Sequence, residues 1–129
     1  MTSAARLSLV ILAVRELARA RRFYEGAFGW AVAVDVPVYV EYALPDGMRL
    51  GLYQRDAFAK NTGAPATPRL AAHTASAELY LSVDDLDAAL ARLAALGATC
   101  LSPPAPRPWG DTVAYYEDPD GHVVAVARV

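Results

Sequence analysis

Few residues of this chain are of the types that hold catalytic metals or attack substrates. It contains two histidines, His73 and His122, and one cysteine, Cys100. A divalent metal in a catalytic site needs about three protein donors, usually histidine, cysteine or carboxylate side chains. Glu78, five residues after His73, is the carboxylate that could complete a set with both histidines. We expect instead that the two histidines lie at the surface and that no metal or other cofactor is bound.

Other common catalytic patterns are absent from the sequence. Cys100 has no nearby histidine and no recognisable motif, so it receives no nucleophilic role. There is no glycine-rich phosphate loop and no nucleophile elbow. Glu78 is expected to project into an apolar cleft, where it could act as a general base, pair with a cationic ligand or pair with Arg49. The alternative is a carboxylate at the exposed start of a strand.

Aromatic residues are the second group that could contact a ligand. Tyrosine and tryptophan combine large apolar rings with a polar tip, which suits them to binding planar molecules. Trp109 lies in a proline-rich loop with little core to enter, so it is expected to stack on a ligand or to pack at a dimer interface. Trp30 is expected in the core. The predicted aromatic wall consists of Tyr42, Tyr53, Tyr80 and Tyr116.

Composition excludes several classes of partner. The 129 residues include 12 Lys and Arg against 14 Asp and Glu, a net charge of −2. Without a basic surface, nucleic-acid binding and anionic-membrane binding have no electrostatic support. The apolar run at residues 7–14 is about half the length of a membrane span and predicts a buried strand. A single cysteine indicates a reducing, cytoplasmic compartment.

The chain contains an internal repeat that fixes the expected architecture. The segment at 9–17 and the segment at 78–86 both read as an apolar strand ending in valine, two polar residues, and a leucine that begins a helix. Pro45-Asp46-Gly47 recurs as Pro119-Asp120-Gly121 and predicts a tight turn in each half. The element order is therefore βαβββ, twice.

The predicted class is α+β, a single domain at 1–129 made of two modules, at about 7–55 and 77–129. Two such modules can pair into one curved mixed sheet with a concave cleft and helices on the outer face. A linker is expected at 56–76. Helices are predicted at about 16–28 and 85–96, the second with Asp84 as its N-cap. The other predicted strands lie at about 30–35, 38–44, 48–54, 78–83, 98–101, 112–117 and 122–128.

Strand phase predicts which side chains line the cleft. We pair Glu117 with His122 across the second turn, which makes Tyr116 the partner of Val123. The equivalent pairing in the first module puts Tyr42, Arg49 and Tyr53 on the matching face. Glu41 and Glu117 then face away from the cleft, which disfavours a paired-carboxylate mechanism. The cleft-facing residues of the second module would be Ala114, Tyr116, Val123, Ala125 and Ala127.

In order and duplication, these motifs resemble the vicinal oxygen chelate superfamily, which includes glyoxalases, extradiol dioxygenases and bleomycin-resistance proteins. The likeness rests on Val14-Arg15-Glu16-Leu17, Arg22-Phe23-Tyr24, Gly29-Trp30, Val83-Asp84-Asp85-Leu86 and Asp118-Pro119-Asp120-Gly121. Metal-using members take one ligand from each of four strands, and the matching positions here are Leu9, Gly51, Glu78 and Ala125. Three of these four side chains offer no donor atom.

The resemblance therefore implies metal-independent binding of a small hydrophobic or aromatic ligand, as in antibiotic or metabolite sequestration by the bleomycin-resistance branch. It also implies a homodimer. Glu78 and Arg49 would supply polar recognition, and the tyrosines and Trp109 would supply stacking. One alternative is a glyoxalase-like lyase or dioxygenase, with a non-standard metal site or with Glu78 as a metal-free base. Another is a structural interaction module with a filled concave face.

Overall fold

The structure is a computed structural model that describes residues 4–63, 75 and 77–129. Within these residues the chain forms eight strands and three α-helices, with a short 3-10 turn at Pro45–Gly47. The first module consists of β1 (Leu9–Val14), α1 (Leu17–Phe28), β2 (Ala31–Val36), β3 (Tyr39–Ala43) and β4 (Arg49–Gln54). Helix α2 (Arg55–Thr62) follows. The second module consists of β5 (Glu78–Ser82), α3 (Leu86–Ala95), β6 (Thr99–Pro106), β7 (Thr112–Glu117) and β8 (Val123–Arg128).

The predicted α+β class and the repeated βαβββ order are confirmed. Each module has its own four-stranded mixed sheet, so the single curved sheet of the prediction is two sheets in the structure. Sheet 1 has the strand order β1-β4-β3-β2, and sheet 2 has the order β5-β8-β7-β6. In each sheet the first two strands are parallel and the other neighbours are antiparallel.

By its internal contacts the chain divides into two compact units. The described residues of the first unit are 4–21 and 29–63. The second contains residues 22–28 and the rest of the chain. The second half of α1 therefore belongs with the second module.

The predicted linker begins with a helix. Gln54 starts α2, because its side-chain oxygen accepts hydrogen bonds from the backbone N–H groups of Asp56 and Ala57. Gly63 ends α2 with a positive φ of 81°. The remainder of the predicted linker, including His73, falls on 64–74 and 76 and lies outside the described residues.

Buried apolar side chains lie on one face of sheet 1 and on both faces of sheet 2, where Val113, Ala125 and Ala127 form a cluster on the second face. In sheet 1 this face carries Val40, Tyr42, Leu50 and Leu52, which are almost fully buried. Trp30, a predicted core residue, has its ring centroid 6.2 Å from that of Tyr42. In sheet 2 the corresponding face carries Ala114, Tyr116, Val124 and Val126. Burial of these apolar side chains is the main favourable term in the folding of each unit.

Helix α3 begins one residue later than predicted. Asp85, and not Asp84, is its N-cap, because the Asp85 carboxylate accepts from the backbone N–H of Ala88 at 3.0 Å. The buried stripe of α3 is Leu86, Ala89 and Leu93, and this helix contacts β8. Strand β6 is longer than predicted and runs on to Pro106 with two register shifts, so residues 102–106 are strand and not loop. No helix among the described residues is long and apolar enough to cross a bilayer.

Both Pro-Asp-Gly turns are three-residue loops. The backbone N–H of Leu44 donates to the carbonyl of Met48 at 2.8 Å, and that of Asp118 donates to the carbonyl of His122 at 2.9 Å. Gly47 and Gly121 have φ values of 86° and 90°, a region that favours glycine. The prediction assumed four loop residues between Glu117 and His122, so every cross-strand partner moves by one residue.

Asp118 ties the second turn to α1 within the second unit. Its buried carboxylate accepts from the Tyr24 hydroxyl at 2.8 Å and contacts His122 Nδ1 at 2.7 Å. It also accepts from the backbone N–H groups of Asp120 and His122, both at 2.9 Å. Burial alone would raise the pKa of Asp118, but the hydrogen bonds from His122 and Tyr24 outweigh it and lower that pKa.

We expect Asp118→Ala to lower the free energy of unfolding by about 2–4 kcal/mol, because it leaves several buried donors without an acceptor. Urea unfolding at neutral pH measures the loss, with Asp84→Ala as the control at an exposed site. Since the folded-state pKa of Asp118 is depressed, its stabilisation is present above the ordinary value of 3.8 and is lost as the pH falls below it. The difference between wild type and Asp118→Ala should shrink at about pH 3. An Asp118→Ala variant as stable as wild type at neutral pH would contradict this role.

Candidate functional site

One face of sheet 1 carries the positions that the resemblance assigns to metal ligands in the first module. Leu9 is paired with Arg49, and Gly51 lies in register between Ile11 and Glu41. Paired residues on adjacent strands project to the same side of a sheet. We call this surface the Gly51 face; it comprises Leu9, Ile11, Tyr39, Glu41, Arg49, Gly51 and Tyr53.

The predicted register was wrong by one residue in sheet 1. Tyr42 pairs with Leu50 and not with Arg49, so it lies on the opposite, buried face and not with Arg49 and Tyr53. Glu41, which was expected to face away, lies on the Gly51 face instead. The three-residue turn is the physical reason, since a one-residue slip reverses every side chain of a strand.

Tyr39, Glu41 and Arg49 form one hydrogen-bonded cluster on the Gly51 face. The Tyr39 hydroxyl donates to Glu41 Oε1 at 2.6 Å, and Arg49 Nη1 donates to Glu41 Oε2 at 2.7 Å. The Glu41 side chain is only 11 % exposed, whereas that of Arg49 is 47 % exposed. The hydrogen bond from Tyr39, followed by that from Arg49, lowers the pKa of Glu41 and keeps it ionised. Burial, followed by the hydrogen bond to Glu41, raises the pKa of Tyr39, which keeps its proton.

Aromatic rings continue from this cluster along the sheet. Tyr39 lies opposite Tyr53 with ring centroids 5.3 Å apart, and Tyr53 lies 5.9 Å from Phe58 of α2. Both contacts have the edge-to-face geometry that aromatic pairs favour. The sequence prediction included Tyr53 but missed Tyr39, Glu41 and Phe58. The alternation of Tyr39, Glu41 and Ala43 would have identified the first two if the turn had been counted as three residues.

The residues present do not fit the superfamily's metal site. A Cβ built on Gly51 would lie only 2.7 Å from Tyr39 Cε1, closer than real Cβ contacts approach. The Tyr39 ring therefore fills the space that a ligating side chain at position 51 would need. Leu9 and Ala125 supply no side-chain donor. Among residues 4–63, 75 and 77–129, no three His, Cys, Asp or Glu side chains come close enough to hold an ion.

The equivalent surface of sheet 2 contains the second pair of metal-ligand positions. Ala125 lies in register between Tyr80 and Tyr115, and Val123 lies between Glu78 and Glu117. These residues define the Ala125 face, which confirms the shared placement of Glu78, Tyr80 and Ala125. Tyr116 pairs with Val124, so Tyr116 and Ala114 are on the opposite face and their predicted placement was wrong. Glu117, expected to face away, lies on the Ala125 face.

Tyr80 and Trp109, both predicted ligand-binding residues, are brought together in the second unit. Trp109 Nε1 donates to the Tyr80 hydroxyl at 2.9 Å, and that hydroxyl donates to Asp111 Oδ2 at 2.6 Å. The hydrogen bond to Asp111 is the largest cause of a raised pKa at Tyr80. Trp109 is nevertheless 57 % exposed and Tyr80 41 % exposed. The polar atoms of two large exposed rings are thus hydrogen-bonded to each other and to Asp111.

Tyr115 is the other aromatic side chain of the Ala125 face. The Arg107 guanidinium lies 5.1 Å from the Tyr115 ring centroid, a cation–π distance. Arg107 is held there by hydrogen bonds to the carbonyl of Val113 and the hydroxyl of Ser102. Tyr115 packs against the buried residues Val113, Ala125 and Ala127. Its side chain therefore covers the small residue at the metal-ligand position of β8.

Three further predicted residues have simpler surroundings. Glu78 is exposed at the first residue of β5. His122 is partly buried and bonded to Asp118, so the structure gives it a role in the turn and not at a free surface. Cys100 is exposed on β6 beside Tyr116. Burial, followed by the contact with Cys100, raises the pKa of Tyr116.

The close approach of Tyr39 to Gly51 predicts a change of sign in a double-mutant cycle. We expect Gly51→Ala to lower the free energy of unfolding by about 1–3 kcal/mol, because the new methyl group overlaps the Tyr39 ring. In a Tyr39→Ala background the same substitution should be neutral or stabilising by about 0.5–1 kcal/mol, since alanine is better than glycine inside a strand. Chemical denaturation of the four proteins measures both values. Equal effects of Gly51→Ala in the two backgrounds would contradict the steric account.

Comparison with known proteins agrees with this fold. Among solved structures, a glyoxalase-related enzyme from Fulvimarina pelagi is similar, with a TM-score of 0.82 and 25 % identity over 98 % of this chain and 89 % of that one. A glyoxalase/bleomycin resistance protein/dioxygenase family enzyme from Burkholderia phytofirmans PsJN shares the fold, with a TM-score of 0.83 and 20 % identity over 97 % of this chain and 99 % of that one. The comparison with curated proteins gave no match.

The family assignment rests on nearly the whole chain. The model described as the Glyoxalase/Bleomycin resistance protein/Dioxygenase superfamily matches residues 6–126, which include all eight strands except the last two residues of β8. The match therefore spans both modules and both Pro-Asp-Gly turns. The chain belongs to the glyoxalase/bleomycin resistance protein/dioxygenase superfamily.

Proposed function

We propose that this chain binds a small hydrophobic or aromatic molecule without a metal ion, as in sequestration of an antibiotic or a related metabolite. The observation that carries the proposal is the hydrogen-bonded set of Trp109, Tyr80 and Asp111. Exposed aromatic rings that are held in place lose little side-chain entropy when a planar guest stacks on them. The homodimer and the cytoplasmic location remain predictions from the sequence.

Metal independence is supported by the side chains at the superfamily's ligand positions. Leu9, Gly51 and Ala125 offer no donor, and Tyr39 occupies the space above Gly51. Glu78 alone could not hold a divalent ion in a catalytic geometry. The lyase and dioxygenase alternatives need a metal or a shielded base, and Glu78 lies exposed at the start of β5.

Glu78 also has a place in the binding proposal. It lies on the Ala125 face two residues before Tyr80, so the two side chains project to the same side of sheet 2. A carboxylate on the same face as the Tyr80 ring would favour a guest that carries a hydrogen-bond donor near its ring. Arg49 and Tyr53, two of the predicted ligand-binding residues of the first unit, lie on the Gly51 face.

Nuclear magnetic resonance titration tests the proposal with a neutral planar probe, 2-naphthamide. We expect the indole Nε1–H signal of Trp109 to shift on binding and the dissociation constant to be unchanged by a chelator. Trp109→Ala should weaken binding at least about tenfold, which corresponds to about 1.4 kcal/mol. Leu7→Ala, at another exposed apolar residue, is the matched control and should have no effect.

Two results would overturn the proposal. One is binding that appears only when a divalent ion is added. The other is a dissociation constant that Trp109→Ala leaves unchanged. Turnover of a bound substrate that is lost in Glu78→Gln while binding is retained would replace it with the metal-free enzyme.

A further inference from the structure

The Gly51 face contains an ion pair between the carboxylate of Glu41 and the guanidinium of Arg49. Both oxygens of the Glu41 carboxylate are engaged, one by Tyr39 and one by Arg49. That carboxylate is mostly buried, whereas its arginine partner is about half exposed. A buried carboxylate cannot relax into solvent, so it holds the guanidinium at one place on the sheet. Arg49 has therefore already lost much of the side-chain entropy that a ligand would otherwise have to overcome.

Only part of the Arg49 guanidinium is used by this pair. A guanidinium has five N–H donors in a planar fork. Within the described part of the chain, its ion pair with Glu41 is made through Nη1. The residues paired with Arg49 on the neighbouring strands are Leu9 and Ala43, which carry no charge. No carboxylate therefore lies directly opposite Arg49 on either neighbouring strand to compete for the exposed N–H groups of its guanidinium.

An aromatic surface lies next to the Arg49 guanidinium. The Tyr39 ring covers Gly51, which is two residues along β4 from Arg49 and on the same face. Tyr53 is four residues from Arg49 on that face, about 13 Å away at the backbone. Its ring is fixed between Tyr39 and Phe58. Because Tyr39 and Arg49 bond the two oxygens of one carboxylate, a planar ring beside Tyr39 would carry a substituent of ordinary length within reach of Arg49.

We infer that the Gly51 face binds an oxyanion, such as the carboxylate of an aromatic acid, through the exposed edge of Arg49, with Glu41 and Tyr39 as positioning residues. The positive charge at this site is that of the Arg49 guanidinium. It lies on the same sheet face whose residues do not fit the superfamily's metal site. Guanidinium binds carboxylates through two parallel hydrogen bonds, which gives both strength and orientation. The inference rests on contacts within the first unit, whereas the Trp109 surface lies in the second unit.

The test compares 2-naphthoate with 2-naphthamide, which has the same ring without the charge. The arginine Nε–H signals are followed by nuclear magnetic resonance in the full-length protein. We expect 2-naphthoate to shift the Arg49 signal and to bind there at least about tenfold more tightly than the amide. In the Arg49 variants, which lack that signal, the Tyr39 ring signals report binding at this face. Arg49→Gln should abolish the difference between the probes, and Arg49→Lys should restore it only in part because the fork is lost.

Two variants separate recognition from general effects. Arg22→Gln, at an exposed arginine of α1, makes the same change in net charge and should leave 2-naphthoate binding unchanged. Glu41→Gln/Arg49→Gln removes both charges together, so no buried carboxylate is left unpaired if Arg49→Gln alone unfolds. This double variant should bind the two probes equally.

Several outcomes would overturn the inference. These are equal binding of acid and amide at Arg49, an equal loss in Arg22→Gln, or no response of the Arg49 signal to 2-naphthoate. Each leaves the Trp109 surface untouched, because Trp109→Ala reports on that surface alone. Loss of the Trp109 response with an intact Arg49 response would overturn the proposed function and keep this site.

Discussion

The three-residue loop of each Pro-Asp-Gly turn is the constraint on which the candidate sites depend. It pairs Leu44 with Met48 and Asp118 with His122, and these pairs set the register of two hairpins. The register in turn decides that Glu41 and Tyr115 lie beside Gly51 and Ala125, while Tyr42 and Tyr116 are buried on the other side. In the second turn the Asp118 carboxylate holds the loop by accepting from two backbone N–H groups.

The two modules use this common geometry differently. At the position of Gly51, the first module places the Tyr39 ring over the glycine and fixes it with a buried carboxylate. At the equivalent Ala125, the second module places Tyr80 and Tyr115 on either side, and Trp109 and Arg107 contact these rings. The Gly51 face thus presents the Arg49 guanidinium, paired with Glu41, and the Ala125 face presents the exposed rings of Tyr80 and Trp109. Neither offers the donor set of a metal site.

Most of the architecture could be predicted from the sequence because apolar periodicity and the repeated turn motif are strong local signals. The βαβββ order and the shared face of Glu78, Tyr80 and Ala125 follow from them. Cross-strand partners could not be assigned as safely, since they depend on one hydrogen bond that closes each turn. The Tyr39–Glu41–Arg49 cluster was missed for that reason. Helix α2 was missed because Gln54 is a less common N-cap than serine or aspartate.

Metal stoichiometry is the most direct test of the account. The protein should be purified from cells grown with added iron, zinc, manganese and nickel, and its metal content measured by elemental mass spectrometry. Because Leu9, Gly51 and Ala125 supply no donors, we expect every divalent metal at far below one ion per chain. About one ion of a single metal per chain, retained through gel filtration, would contradict the account.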